Sequence, residues 1–322
     1  MYKILLSPRI KLSGENKGKM RSSCSDIEFA QSKDADETKS LLKDADIFLT
    51  FPMDFPKDFS EEMAPKLKWI HTMSAGVDKF MVPGLVHSDI ILTNSSGIHA
   101  IPISEHVLGM ILAFERNLHI SRDYQNRGEW HRFAFEEMSE LDGKTVAVIG
   151  LGEIGLRTAK LLKAFGTKII AVKRTAGEKP EFIDELYTQD ELGGVLPASD
   201  YVIICTPYTK ETHHMFDSAK LKKMKEGSII INIGRGGIID EKALVEELKK
   251  KRLKGAGLDV FEAEPLPADS PLYGMENVIL TPHVSGYTPH YADRALGIFC
   301  ENLKLFAGNN RMINVVDKKE GY

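Results

Sequence analysis

The sequence predicts an α/β protein in which a doubly wound parallel sheet follows a second, weaker α/β region. Three observations point there. Short unbroken apolar strands alternate with helical stretches through the middle of the chain, a glycine-rich turn follows one of those strands, and a helix-bearing tail lies beyond the last strand. The 322 residues suffice for about two domains at ~150 residues each.

The first hundred residues alternate weakly. Strands are expected at YKILLS, ADIFLTF, LKWIHTM and IILTNSS. The segment AIPISEHVLGMILAFERNLHISRDYQNRG (100–128) reads as helical, with Pro102 suited to its start. Ile103, Val107, Met110, Ile111, Phe114 and Leu118 fall on one face of it. Six strands are then expected in KTVAVIG (144–150), KIIAV (168–172), YVIIC (201–205), SIIINIG (228–234), GAGLDV (255–260) and VILTP (278–282). Helices at 156–166, 218–224 and 241–253 separate several of them. Apolar strands alternating with helices mean a parallel sheet covered on both faces. The tail PHYADRALGIFCENLKLFAGN, followed by MINVV, is surplus to that sheet. Its return to the first domain would make that domain discontinuous.

Composition narrows the function classes. Hydrophobic residues are 43%, charged residues 27%, and the net charge is −4. A nucleic-acid partner would call for a basic excess, and the densest basic run, LKKKRLKG (248–255), reads as the polar end of a helix before a glycine stop. No run of 18 apolar residues suggests a membrane span, and the N-terminus lacks the features of a secretory signal. The three cysteines, Cys24, Cys205 and Cys300, are dispersed. That pattern fits a reducing cytoplasm, with neither a disulfide framework nor a metal site.

Four strand-following turns carry chemistry. GLGEIG (150–155) is a G-x-G-x-x-G that follows a strand and opens a helix. Gly150 permits the tight turn, Gly152 the approach of a pyrophosphate, and Gly155 close packing of helix on strand. Free N–H groups at the helix N-terminus suit the phosphates. INIGRGGIID places Arg235 among glycines, GLDVFEAEPLP carries Asp259, Glu262 and Glu264, and VILTPHVSG carries His283. All three stretches leave strands at the edge where such sheets bind ligands. Arg235 suits a carboxylate, which its planar fork can grip with two parallel hydrogen bonds. His283 by itself has two readings, a core histidine closing a loop or a proton donor.

GLGEIG, NIGRGGIIDEKAL, GAGLDVFEAEPLP and NVILTPHVSG, in that order and spacing, resemble the D-isomer-specific 2-hydroxyacid dehydrogenase family. MSAGVD (73–78) and SEHVLGMILAF (104–114) look like that family's substrate loop and interdomain helix. The resemblance implies two doubly wound parallel-sheet domains. A Rossmann-type dinucleotide-binding domain (100–286) would be inserted in a discontinuous flavodoxin-like substrate domain (1–99 and 287–322). It implies catalytic roles for Arg235, Glu264 and His283, and substrate binding by Ala75, Gly76, Val77 and Arg235. Cofactor contacts are expected at Gly150, Gly152, Glu153, Ile154, Gly155, Lys173, Arg174, Thr175, Thr206, Pro207 and Thr212. Further contacts are expected at Ile233, Gly234, Arg235, Asp259, His283, Ser285 and Gly286. With this resemblance His283 reads as the proton donor.

The chemistry is consistent. Reducing a 2-oxoacid needs a hydride on the carbonyl carbon, which a nicotinamide supplies, and a proton on its oxygen. A histidine, with an ordinary pKa of about 6.5, suits the proton transfer. Glu264 is expected to favour its charged form. Arg235 is expected to hold the carboxylate and stabilise developing charge. A homodimer is implied, with Trp130 open between plain packing and support of a dimer or a neighbouring active site. The substrate is expected to be a small 2-oxoacid or D-2-hydroxyacid of glyoxylate or hydroxypyruvate type, in a cytoplasmic enzyme with no nucleic-acid, membrane or metal partner. The rival is a non-enzymatic, NAD(P)(H)-sensing corepressor-like protein of the same fold.

The cofactor expectation departs from the NAD pattern. An acidic residue usually ends the second strand, about 20 residues past the glycine loop. Here Lys173 stands 18 residues after Gly155, followed by Arg174 and Thr175. Two cations and a hydroxyl suit a 2′-phosphate, so NADP(H) is favoured over NAD(H), which also remains open.

Overall fold

The chain begins as a parallel sheet, leaves it for a second sheet at residue 99, and returns to the first at residue 288. The computed structural model describes all residues except Ala176 and Tyr322, and forms two compact units, Met1–Ile98 with Thr288–Tyr322, and His99–Tyr287.

The first unit contains β1 (Tyr2–Leu6), α1 (Gly14–Ser23), β2 (Ile27–Gln31), α2 (Ala35–Leu42), β3 (Ile47–Thr50), β4 (Trp69–Thr72), α3 (Pro83–Val86) and β5 (Ile91–Thr93). Its sheet order is β2-β1-β3-β4-β5, all parallel, the flavodoxin-like arrangement. Four strands were expected and the described residues form five. The extra one, β2, has the sequence IEFAQ and only one buried residue. It lies at the sheet edge, where one-sided burial leaves no apolar run to read.

The second unit contains α4 (Ala100–Glu115), α5 (Leu118–Arg127), β6 (Thr145–Ile149), α6 (Glu153–Lys163), β7 (Lys168–Lys173), β8 (Glu185–Thr188), α7 (Leu192–Val195), β9 (Tyr201–Ile204), α8 (Ser218–Lys223), β10 (Ile229–Asn232), α9 (Glu241–Lys249), β11 (Gly255–Leu258) and β12 (Val278–Leu280). The parallel sheet runs β12-β11-β10-β9-β6-β7-β8. Six strands were expected; β8, with sequence ELYT, is the seventh, a half-buried edge strand. The order reverses between β6 and β9, and that switch point is where doubly wound sheets bind ligands.

The long helical segment is two helices. Ile103, Val107, Met110, Ile111 and Phe114 are buried along α4 as expected. The helix stops at Arg116 because Asn117 turns left-handed at φ 49°, a conformation asparagine tolerates better than most residues. Its side-chain amide donates to the Glu137 carbonyl at 2.8 Å. Leu118 is consequently 56% exposed rather than on the buried face. The basic run also differs from expectation. After α9 ends, Arg252 turns inward, pairing with Glu247 at 2.5 Å and donating to the Leu221 and Met224 carbonyls at the end of α8.

The tail helix α10 (Tyr291–Ala307) packs on the first sheet, where Phe299 stacks on Trp69 at 4.9 Å between ring centroids. Beside them, His71 is fully buried in a closed hydrogen-bond chain. The Trp69 indole N–H donates to Thr93 Oγ1, and Thr93 Oγ1 lies 2.7 Å from His71 Nδ1. His71 Nε2 contacts Ser95 Oγ at 3.2 Å, and the Ser95 hydroxyl donates to the Thr72 carbonyl. Each hydroxyl has one proton to give. The Ser95 proton is already spent, so His71 Nε2 donates and Nδ1 accepts. Burial pushes His71 down to about 3.

Candidate active site

The glycine turn lies at the switch point. Gly150 has φ +99°, and a Cβ there would come within 3.0 Å of the Cys205 backbone and the Thr206 side chain. A Cβ on Gly155 would lie 1.9 Å from the Gly150 carbonyl oxygen. Both positions therefore demand glycine for packing alone. Gly152 is different: it caps α6 with no side-chain hydrogen bond, and a Cβ there would meet no protein atom within 4 Å. Among the described residues nothing requires glycine at that position, which fits a ligand approaching the backbone. Nearby, Thr206 Oγ1 is buried and among the described residues has no partner. An orphaned hydroxyl, an open glycine and a helix N-terminus fit a dinucleotide pyrophosphate. Glu153 and Ile154 form the first turn of that helix.

The end of β7 carries Lys173, half-buried, then Arg174 and Thr175, both exposed. Across from them, in the loop after β9, the Glu211 carboxyl lies below its ordinary range. The Thr209 hydroxyl is the leading cause, and Arg174 contributes a smaller charge effect. Pro207 is exposed at the start of this loop. Thr212 Oγ1 donates to the Pro207 carbonyl at 2.8 Å and accepts from the Thr209 N–H at 2.7 Å. The Thr212 side chain thus serves to close its own loop.

Arg235 follows β10 by three residues. Asn232 shapes this turn, accepting from the Gly234 N–H and donating to the Arg235 carbonyl. Arg235 Nη1 donates to the Gly234 carbonyl at 2.8 Å. Ile233 is buried, so at that position only the main chain can face a ligand. A Cβ on Gly236 would stand 1.8 Å from the Phe261 carbonyl carbon. That close approach presses the arginine loop against the loop that leads to Glu264.

The three acids after β11 separate into different tasks. Asp259 is fully buried and accepts from Thr281 Oγ1 at 2.6 Å, Val284 N–H at 2.9 Å and Ser285 N–H at 3.0 Å. Its carboxylate shapes the His283 loop from beneath. Glu262 pairs with His214 Nε2 at 2.8 Å and accepts from the first N–H of α9. Glu264 Oε1 accepts the Phe261 N–H, and its Oε2 lies 2.7 Å from His283 Nδ1. His283 itself sits at φ +54°. Because a carboxylate only accepts, Nδ1 carries the proton in this pair, leaving Nε2 to exchange a proton elsewhere.

His99, at the N-cap of α4, was not marked by any sequence motif. Its Nδ1 lies 3.2 Å from the Gly286 carbonyl oxygen. Burial is the main cause that holds its imidazole below the usual histidine range; the Gly286 bond opposes this, and the charges of Arg235 and His283 reinforce it. Arg235, His283 and His99 therefore share one neighbourhood, although they are far apart in sequence.

In the first unit, the loop 73–77 follows β4. The carbonyls of Met73, Ser74, Ala75 and Gly76 are taken by the Tyr291 hydroxyl, Ser95 N–H, Asn94 amide and Ser74 hydroxyl. Among the described residues, the backbone N–H groups of Ala75, Gly76 and Val77 have no such partner. A loop whose acceptors are occupied and whose donors are open suits an anion.

The chain is similar to known proteins over nearly its whole length. Residues 108–285 match the family model described as D-isomer specific 2-hydroxyacid dehydrogenase, NAD binding domain. The chain is 34% identical to the D-3-phosphoglycerate dehydrogenase of Methanocaldococcus jannaschii over 98% of its own length, spanning 60% of that relative. It is 34% identical to the glyoxylate reductase of Thermofilum pendens, over 88% of this chain and 86% of the relative. The crystal structure of a D-isomer specific 2-hydroxyacid dehydrogenase from Xanthobacter autotrophicus Py2, in complex with NADPH and MES, superposes with a TM-score of 0.86. It is 26% identical, covering all of this chain and 99% of the other. The chain belongs to the D-isomer specific 2-hydroxyacid dehydrogenase family.

Proposed function

We propose that the protein is an NADP(H)-preferring 2-oxoacid reductase with substrates of the glyoxylate or hydroxypyruvate type, yielding the D-2-hydroxyacid wherever the product is chiral. The observation that carries this reading is the His283–Glu264 pair at 2.7 Å. The glyoxylate reductase relative supports the substrate class.

The bound nicotinamide would supply the hydride to the carbonyl carbon. Arg235 grips the substrate carboxylate and orients the carbonyl. His283 delivers the proton from Nε2 to the carbonyl oxygen, and Glu264 holds the ring through Nδ1 and balances its charge. In oxidation His283 takes the proton back. In the first unit, the open N–H groups of Ala75, Gly76 and Val77 anchor the substrate carboxylate. Gly152 and the turn of Glu153 and Ile154 take the pyrophosphate, on a bend whose shape Gly150 and Gly155 set. Lys173, Arg174 and Thr175 take the 2′-phosphate; an NADPH-bound neighbour of the same fold supports that choice. Thr206, Pro207, Gly234 and Gly286 flank the dinucleotide. Thr212, Ile233, Asp259 and Ser285, whose side chains are buried, contribute the shape of their loops.

A homodimer belongs to the same reading. Trp130 and Phe135 are 97% and 91% exposed on one segment, more apolar surface than a solvated arm needs.

The test is loss of NADPH absorbance on addition of a panel of 2-oxoacids. Turnover of glyoxylate or hydroxypyruvate is expected. No turnover with any member would favour a binding-only protein.

A further inference from the structure

The loop 281–286 must hold His283 in a left-handed conformation that non-glycine residues adopt only when their surroundings impose it. Two histidines outside the His283–Glu264 pair grip this loop at its ends. His99 and His106 are seven residues apart, two helical turns, and so lie on one face of α4. His99 Nδ1 reaches the Gly286 carbonyl at 3.2 Å. His106 Nε2 reaches Thr281 Oγ1 at 3.0 Å.

The proton positions follow from what each partner can accept. Thr281 has one hydroxyl proton, and it goes to Asp259 Oδ1 at 2.6 Å, since a carboxylate only accepts. His106 must therefore donate from Nε2 to a Thr281 lone pair. The Gly286 carbonyl only accepts, so His99 must donate from Nδ1. The resulting relay runs from His106 through Thr281 to Asp259. Asp259 in turn takes the Val284 and Ser285 N–H groups with its carboxylate, and the His283 N–H with its carbonyl at 2.9 Å. Three successive amides of the catalytic loop are thus tied to one buried residue, which the α4 histidine orients. The fit at the other end is close, since a Cβ on Gly286 would stand 2.9 Å from His99 Nδ1.

We infer that His99 and His106 are positioning residues for His283, setting the angle of its ring through the backbone of residues 281–286. The inference rests on the 2-oxoacid reductase reading for its kinetic consequence, but the brace itself can be measured without turnover.

The experiment compares an apolar and an isosteric amide substitution at each position. Asn places a donor where His Nδ1 stands, and Gln places one where Nε2 stands. His99→Leu and His106→Leu are expected to lower kcat about 10- to 100-fold, the scale of a misplaced catalytic group. His99→Asn and His106→Gln are expected to recover most of that loss. A role limited to packing would lower the melting temperature and leave kcat of the folded enzyme alone. Thr281→Val, which keeps the shape and removes the hydroxyl, replaces His106→Leu if that variant does not fold. Amide hydrogen exchange at His283, Val284 and Ser285 gives the activity-independent reading: it should quicken in the Leu or Val variant and slow again in the amide variants. A folded apolar variant with wild-type kcat, an amide variant as slow as its Leu counterpart, or unchanged exchange at the three amides overturns the inference. If the wild type reduces no 2-oxoacid, the functional reading fails, and exchange alone decides the brace.

Discussion

His283 Nδ1 and Glu264 Oε2 stand 2.7 Å apart although the two residues leave different strands. Glu264 is itself fixed, since its second oxygen accepts the Phe261 N–H. The pair therefore leaves Nε2 as the one ring nitrogen of His283 not taken up by Glu264. Several measurable consequences follow from this arrangement and its supports.

Arg235→Lys keeps the charge and loses the planar fork. Weaker apparent affinity for the oxoacid is expected together with slower turnover, because the same group binds and orients. Steady-state kinetics with the best oxoacid check it; unchanged KM and kcat would remove Arg235 from the site.

Gly236→Ala would force a methyl group to within 1.8 Å of the Phe261 backbone. Backbone cannot yield as a side-chain tip can, so a loss of about 1–3 kcal/mol in stability is expected, with lowered activity as the Arg235 and Glu264 loops part. Thermal melts and kinetics on the same preparation test it. Wild-type values for both would show that the two loops do not depend on that approach.

Cofactor choice turns on the end of β7. Wild-type kcat/KM is expected to favour NADPH over NADH. Lys173→Asp combined with Arg174→Ser should shift the ratio toward NADH by about 10- to 100-fold, the worth of one or two charge-assisted hydrogen bonds. A wild type that prefers NADH, or a ratio the double change leaves in place, contradicts the assignment.

Acid should weaken the first unit through His71. Its pKa is about 3 in the folded state against an ordinary value of 6.5, so the folded state favours the neutral ring. That contribution is complete above the unfolded pKa and is lost as pH falls from about 6.5 toward about 3, at about 1.4 kcal/mol per unit. Protonating Nδ1 would also turn the acceptor that faces Thr93 into a donor. Urea unfolding monitored near Trp69 should show stability falling by about 2 kcal/mol between pH 6.5 and 5, and His71→Asn should flatten that dependence.

The fold class was legible because buried parallel strands are continuous apolar runs; β6, β9 and β10 are buried at nearly every position. The edge strands β2 and β8 escaped because one face meets solvent and their residues mix charge with β-formers. The break after α4 escaped because a single asparagine in a left-handed turn looks like any polar helix residue. The loops of Arg235, Glu264 and His283 were visible because each directly follows a strand. His99 and His106 were not, since their partners lie 187 and 175 residues away, and no local spacing encodes that proximity. The separate tasks of Asp259, Glu262 and Glu264 were likewise invisible, because burial and partners sort them, not residue type.

The most direct measurement is kcat of His283→Ala beside the wild type, reducing the best 2-oxoacid with NADPH, with nucleotide affinity measured in parallel. The account predicts a fall of about 10²–10⁴-fold, the range for a positioned acid/base, while the variant still binds NADPH. A variant that binds nucleotide and turns over near the wild-type rate would contradict it.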